Sequence, residues 1–309
     1  MISTTKDVAQ ANAVTHGGTF HADEVLATVI LSKVFKDLVV CRLFKIPEVC
    51  RVFKIPSELN EGVIVYDIGL GEFDHHQKGG NGVRENGVSY AACGLIWKQF
   101  GHEIVADTCD PEFVWNLIDR DLIQGVDATD NGQMPKADYP AQNMSFSQVI
   151  SSFNPNWDSN EDADAAFERA VAFAEIVFDN VLANAISKAN AKKIVDEAID
   201  KAESHIMVLN QFAPWQEFIF ASGKKQADEV WFVVFPSNRG GYNWQCVPDA
   251  LGSFGQRKSV PNEWKGLDAS ELQKITGVET ASFCHPAGFI GGASTLEDAI
   301  ALATIAVKA

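Results

Sequence analysis

Between Val63 and Lys78 the chain reads VIVYDIGLGEFDHHQK, and this stretch restricts the fold more than any other. Val63 to Tyr66 is a short apolar run with the β-branched character of a buried strand, and it delivers Asp67 at its carboxyl end. Asp74, His75 and His76 follow in a polar loop. Adjacent histidines point in different directions on any regular element, so a buried face could use only one of them. Core packing does not account for the pair. Carboxylates and imidazoles gathered at a strand end and the loop beyond it suit divalent metals at the carboxyl edge of an α/β sheet. A second cluster, His16-Gly-Gly-Thr-Phe-His21-Ala-Asp23-Glu24, lies near the N-terminus, so four of the seven histidines fall in two short windows. The two windows are expected to meet around metal ions.

The flanking pattern supports such a sheet. Ala13 to Thr15 reads as a strand ending at His16, and Gly17-Gly18 makes the turn. A helix follows from about Asp23 through Phe35, with Val25, Leu26, Val29, Ile30 and Val34 on one side. Leu38 to Phe44 is a further strand. Beyond the Asp74-His75-His76 loop, a Gly-rich run leads to a helix over Ser89 to Phe100, stopped by Gly101. Asp110-Pro111 gives the cap and first position of another helix, running to Gly125. Val126-Asp127-Ala-Thr-Asp130-Asn131-Gly132 comes next. From Pro155 to Pro214 there is neither Gly nor Pro, and helical spacing of Phe167, Val171, Ala174, Phe178, Leu182, Ala185 and Ala189 predicts one or two long helices. Strands are expected at Phe218–Ala221, Val230–Phe235, Tyr242–Val247 and Ala281–Cys284. Ser294 with Glu297 reads as a capping box opening a last helix. The fold class is thus α/β: a mainly parallel-sheet N-terminal domain, long linking helices, and a smaller α/β C-terminal domain. The expected division is 1–204 and 205–309. One oddity, Cys41-Arg-Leu-Phe-Lys-Ile-Pro-Glu repeated as Cys50-Arg-Val-Phe-Lys-Ile-Pro-Ser, is too short for a solenoid and reads as a local duplication.

Composition narrows the function classes. With 309 residues, 46% of them hydrophobic, the chain can build a real core. A formal charge of −16 disfavours a broad electrostatic footprint for duplex nucleic acid. It leaves room for an enzyme that grips its substrate locally. Six scattered cysteines without a CxxC pair read as small buried residues in a reducing compartment. The N-terminus lacks the pattern of a secretory signal, and no apolar run approaches the roughly 20 residues of a membrane span. A cytoplasmic protein with no membrane partner is expected, and the many Trp and Phe leave room for a homodimer.

His16, His21, Asp23, Asp67, His75, Asp127 and Asp130 offer mixed imidazole and carboxylate ligation, which suits Mn²⁺, Mg²⁺, Fe²⁺ or Zn²⁺. Asp127 and Asp130 remain alternatives for one position. Such a set can hold two ions sharing a carboxylate. Two ions roughly 3.5–4 Å apart activate water and offset charge developing on phosphorus.

Asp74-His75-His76, with Asp67 and the His16-to-Asp23 corner, resembles the DHH phosphoesterase superfamily. THGGTFHADE, YDIGLGEFDHHQ, DATDNG, YNWQCVP and HPAGFIGG resemble in order the melanocyte proliferating gene 1 family of metal-dependent hydrolases, across nearly the whole chain. The resemblance implies a 3′–5′ exonuclease acting on RNA or short oligonucleotides, and the acidic balance points to single-stranded RNA or other short substrates. The resemblance implies two ions, manganese foremost, with Asp67 bridging them and His76 facing the phosphoryl oxygen; Asp67 and His76 are thus the expected catalytic pair. The superfamily has Asp where His21 stands and a His-to-Asp spacing one residue shorter, a departure that bears on metal preference. It also implies that the second domain holds substrate. Gly291 and Gly292 before a capped helix would expose N–H groups to an anion, with His285 just ahead, and Arg239, Arg257 and Lys258 would supply cations. Trp244 and Trp264 could stack on a base, although such residues are more often core. The rival readings are a phosphohydrolase of pyrophosphate or of mono- and dinucleotides, and a non-catalytic metal- or nucleotide-binding module.

Overall fold

The computed structural model describes residues 2–43, 59, 61–134 and 143–309. From Phe44 onward the tandem repeat lies outside the described residues. Two compact units divide the chain, Met1–Ile186 and Ser187–Ala309.

The first unit opens with β1 (Ile2–Thr5) and β2 (Ala13–His16), then α1 (Ala22–Val34), β3 (Leu38–Leu43) and β4 (Ile64–Val65). The strands form one parallel sheet in the order β1-β3-β2-β4. Its edge strand β1 was not expected. From β2 the chain moves to β3 on one side and later returns to β4 on the other, so the β2/β4 pair is the switch point where α/β sheets place their ligands. Residues Ala22 to Leu31 of α1 are buried on all sides, which fits their near-continuous apolar sequence.

α2 (Ala92–Val105) packs on α1 and runs past Gly101, its expected stop. A Cβ at Gly101 would overlap the Trp97 ring and the Trp115 indole nitrogen. These two rings stack with centroids 6.0 Å apart. The glycine is there for close packing, not termination. α3 (Pro111–Ile118) starts as the sequence predicts, with Asp110 accepting from the Phe113 N–H and Pro111 at the first position. A π-helical turn over Asp119–Ile123 then leads into α4 (Gln124–Asp130), so the helix passes its expected end at Gly125. π turns are rare and concentrate at functional sites. α5 (Phe146–Ser151) is a short helix capped by Ser145.

α6 (Ala163–Asp200) is a single helix of 38 residues, and the boundary between the units falls within it. Among the described residues it alone is long and apolar enough to cross a membrane by length and composition. The sequence expectation of no such run is corrected here. In the first unit α6 is nonetheless two-faced. Phe167, Ala170, Ala174 and Phe178 are buried, while Glu175 and Asp179 pair with Lys33.

The second unit contains β5 (Ile206–Val208), α7 (Gln216–Ala221), α8 (Lys225–Glu229), β6 (Phe232–Pro236), β7 (Tyr242–Cys246), α9 (Ala269–Thr276), β8 (Ala281–Cys284), β9 (Ile290–Ala293) and α10 (Leu296–Lys308). Its sheet order is β5-β6-β7-β9-β8, parallel only between β5 and β6. The expected strand at Phe218–Ala221 is the helix α7. Short apolar runs of this kind carry no period that separates the two. Trp244 and Trp264 are core, packed edge to face at 6.2 Å beneath Leu302 and Ala303 of α10.

Gly291 and Gly292 are not in a loop before a helix. They lie in β9 between β7 and β8, and α10 is capped instead by Thr295, whose hydroxyl accepts from Asp298 N–H. A Cβ at Gly291 would overlap the Trp244 ring and the Phe283 carbonyl, so close approach across the sheet requires glycine. Gly291→Ala is expected to destabilise the chain by about 1–3 kcal/mol through overpacking. An unchanged urea midpoint, followed by tryptophan fluorescence, would refute this.

Candidate metal centre

β2 and β4 end side by side and aim His16 and Asp67 at the same space. The backbone at Asp67 turns left-handed, with φ of 55°, immediately after Tyr66. This conformation costs a non-glycine residue energy and concentrates at functional positions. A contact between Asp67 N–H and the Phe73 carbonyl, 2.9 Å, holds the turn. His16 Nδ1–H donates to the Gly17 carbonyl at 3.2 Å, leaving Nε2 to face Glu24 Oε1 at 3.0 Å and Asp67 Oδ2 at 3.2 Å. Fixing one ring nitrogen on a carbonyl frees the other for a metal.

The Asp74-His75-His76 loop has no regular structure, so the two rings do not diverge as adjacent residues on an element would. Their centroids are 4.3 Å apart at 30°. Asp74, fully buried, accepts from Leu70 N–H and His76 N–H and from His76 Nδ1–H at 2.7 Å. It orients His76 toward the cleft rather than pointing into it. His75 Nε2 lies 2.8 Å from Asp130 Oδ2, while its Nδ1 lies 3.8 Å from Asp23 and 3.7 Å from Asp67.

Asp127 and Asp130 are now distinguishable. Asp127 Oδ1 accepts from the Gly94 N–H and the Cys93 thiol, and Oδ2 from Arg84 at 2.6 Å. Both oxygens are occupied by the chain. Asp130 faces His75 and lines the cleft. Arg84 also grips both oxygens of Asp119, at 2.7 and 3.0 Å, and lies over the Tyr90 ring. Asp23 accepts from the Ala92 and Cys93 N–H groups at the start of α2, a favourable end for a carboxylate.

One ligand atom each from His16, His21 and Glu24 falls within a 4.8 Å group, and so it does for Asp67, Asp74, His75 and His76, for Asp23, His75 and Asp130, and for Asp23, Cys93 and Asp127. Asp23 and His75 are shared between groups. These clusters could hold a metal ion, and three observations fit one. Glu24 Oε2, Asp67 Oδ1 and His75 Nδ1 are buried without a hydrogen-bond partner among the described residues, which is costly unless a cation satisfies them. Burial first, then repulsion from Asp67, Asp130 and Asp127, pushes the Asp23 carboxyl well up; burial likewise raises Asp67 against the pull of His16. Burial would lower His16, yet its hydrogen bonds to Asp67 and Glu24 raise it to about 11. The crowded carboxylates thus draw positive charge to this spot, as a cation would supply it. Burial outweighs Arg84 at Asp127, which rises to about 6, whereas the His75 hydrogen bond overcomes burial and lowers Asp130.

The sequence therefore named His16, His21, Asp23, Asp67, His75, His76, Asp127 and Asp130, and the structure gathers all of them. It missed Glu24, although Glu24 stands beside Asp23, and it missed Arg84 and Asp119. In the second unit the expected substrate residues are dispersed. Arg239 sits in the exposed turn between β6 and β7, at the start of β7. His285 lies at the other end of that strand, where Cys246 N–H meets the Phe289 carbonyl. Arg257 donates to the Ala227 and Val230 carbonyls and lies over Phe220, and Lys258 follows it in the loop. Gly291 and Gly292 have their backbone in the sheet.

Comparison with known proteins identifies the family of the chain. The model of an uncharacterised protein family, UPF0160 (MYG1_exonuc), matches residues 12–307. A MYG1 protein of Saccharomyces cerevisiae is 30% identical over 95% of this chain and 94% of its own length. A MYG1 protein of Schizosaccharomyces pombe is 31% identical over 94% and 95%. The human protein named MYG1 exonuclease is 28% identical over 97% of this chain and 87% of its own. No solved structure matches. From Asn12 almost to its C-terminus, the chain belongs to the MYG1 family, UPF0160.

Proposed function

We propose that this chain is a metal-dependent phosphodiesterase of the DHH type, a 3′–5′ exonuclease on RNA or short oligonucleotides. The observation that carries the reading is His75, whose Nδ1 lies 3.7 Å from Asp67 and 3.8 Å from Asp23, with buried acceptors that have no hydrogen-bond partner among the described residues. Human, bovine and mouse relatives named exonucleases support the substrate class.

His16, Asp23, Asp67, His75 and Asp130, with His21 and Glu24, would hold two divalent ions, manganese foremost. Asp127 takes the supporting place, because Arg84, Cys93 and Gly94 occupy its oxygens. Bound there, the ions would activate water and offset charge on the phosphoryl group. The protein's own part is electrostatic and positional. The Asp74 hydrogen bond, working against burial, raises the His76 pKa and favours its charged form. With Nδ1 held by Asp74, the His76 ring lines the cleft, where a phosphoryl oxygen would meet it. Asp74 itself is lowered to about 2, since the His76 and Leu70 hydrogen bonds outweigh burial, and stays ionised to hold the ring.

A second reading, hydrolysis of small nucleotides, draws on the cleft. Its volume is about 650 Å³, and among the described residues neither Lys nor Arg lines it. Metal-stripped protein given 5′-labelled RNA is expected to be silent, and to produce a ladder shortening from the 3′ end on addition of Mn²⁺. Phosphate release from dinucleotides without RNA cleavage would favour the second reading. Silence on both would leave a binding module.

A further inference from the structure

The described residues that line the cleft are of two unlike kinds. One is the cluster of His16, His21, Asp23, Asp67, His76 and Asp130. The other includes Thr19, Thr129 and three residues of α5: Ser147, Gln148 and Ser151. Ser147 and Ser151 are four apart on a helix, so their hydroxyls stack on one face. Gln148 Oε1 is held by the Ser145 N–H at 2.8 Å, which leaves its NH₂ group as the end it can offer. These five residues are uncharged, and they can donate and accept hydrogen bonds.

Such a lining is poorly suited to a second phosphate, which calls for charged or multiply donating groups. It suits uncharged hydroxyls. In a nucleotide whose phosphate sits at the carboxylate cluster, the neighbouring neutral donors and acceptors are those of the sugar. A 2′-hydroxyl both donates and accepts, and it separates RNA from DNA at a given site. Hydrogen-bonding sites discriminate strongly against analogues that lack the matching group, because their own polar groups are then left unpaired.

We infer that the α5 face, through Ser147 and Ser151 with Gln148 between them, reads the sugar hydroxyls of the terminal nucleotide and sets a preference for ribonucleotides. This rests on the phosphodiesterase reading above and narrows its substrate. The test uses the full-length Ser147→Ala/Ser151→Ala variant and two measurements. The first is kcat/KM on matched single-stranded RNA and DNA with Mn²⁺. The wild type is expected to prefer RNA, and the variant's RNA-to-DNA ratio to fall roughly tenfold per lost hydroxyl. The second is calorimetric affinity for adenosine 5′-monophosphate against its 2′-deoxy analogue, which needs no turnover. The wild type is expected to prefer the ribonucleotide and the variant to lose that preference.

Equal affinity of the wild type for the two monophosphates would overturn the α5 assignment even if RNA is cleaved. So would an RNA-to-DNA ratio that survives the double substitution, or equal loss on both polymers, which would mark α5 as a support rather than a reader. Absence of any polymer cleavage, with the monophosphate preference present in the wild type and lost in the variant, would remove the exonuclease reading and keep this one.

Discussion

Asp67→Ala is expected to abolish metal-dependent turnover in a chain that still folds. The carboxylate faces His16 with one oxygen and approaches His75 and His76 with the other, which has no hydrogen-bond partner among the described residues. Its loss should exceed the roughly 10–100-fold that removal of an outer supporting residue costs. The fold should survive because Asp67 is buried and its burial raises its pKa: an unsatisfied carboxylate is a liability to the metal-free protein. Calorimetry with Mn²⁺ and circular dichroism would check both halves. Full activity in Asp67→Ala would sink the mechanism.

Arg84→Ala should do the opposite and damage the fold first. Arg84 is a buried cation between two buried carboxylates, with its side chain 7% exposed and those of Asp119 and Asp127 at 7% and 0%. Removing one partner of such a network leaves uncompensated charge and costs about 3–5 kcal/mol. Arg84→Lys should recover only part of this, because an ammonium cannot reproduce the two-pronged grip on Asp119. Arg84 also ties the loop after His76 to α4, so metal affinity should fall about 10–100-fold in whatever fraction remains folded. Urea unfolding and metal titration of the three proteins would measure this. Equal midpoints for all three would show the network to be ornamental.

These two residues also show what could be read in advance. Asp67, His16 and His75 were legible because each stands at a strand end or in the loop just beyond it, where a short window reveals both the strand and the ligand. Arg84 was not, since its partners Asp119 and Asp127 lie 35 and 43 residues away and meet it only after α3, the π turn and α4 have folded. The choice between Asp127 and Asp130 required knowing that Arg84 and the start of α2 occupy the first. Gly291 and Gly292 illustrate a different limit. A glycine pair before a capped helix and one inside a crowded strand look the same in sequence, and only the Trp244 ring against β9 tells them apart. The α5 face was invisible for a related reason, because scattered hydroxyls acquire meaning only from the cleft they share with the carboxylates.

The left-handed Asp67 and the unpartnered buried acceptors around it have a consequence for the protein's lifetime. A folded chain that concentrates strain and unscreened charge at one edge is stabilised by whatever cation binds there, and an unfolded one gains nothing comparable. At a free ion concentration one hundred times the dissociation constant, this linkage is worth about 2.7 kcal/mol. That is a large part of the stability a single domain possesses. In an ion-starved cell the same polypeptide would open more often and be cleared by proteases sooner, so its abundance would follow the ion supply.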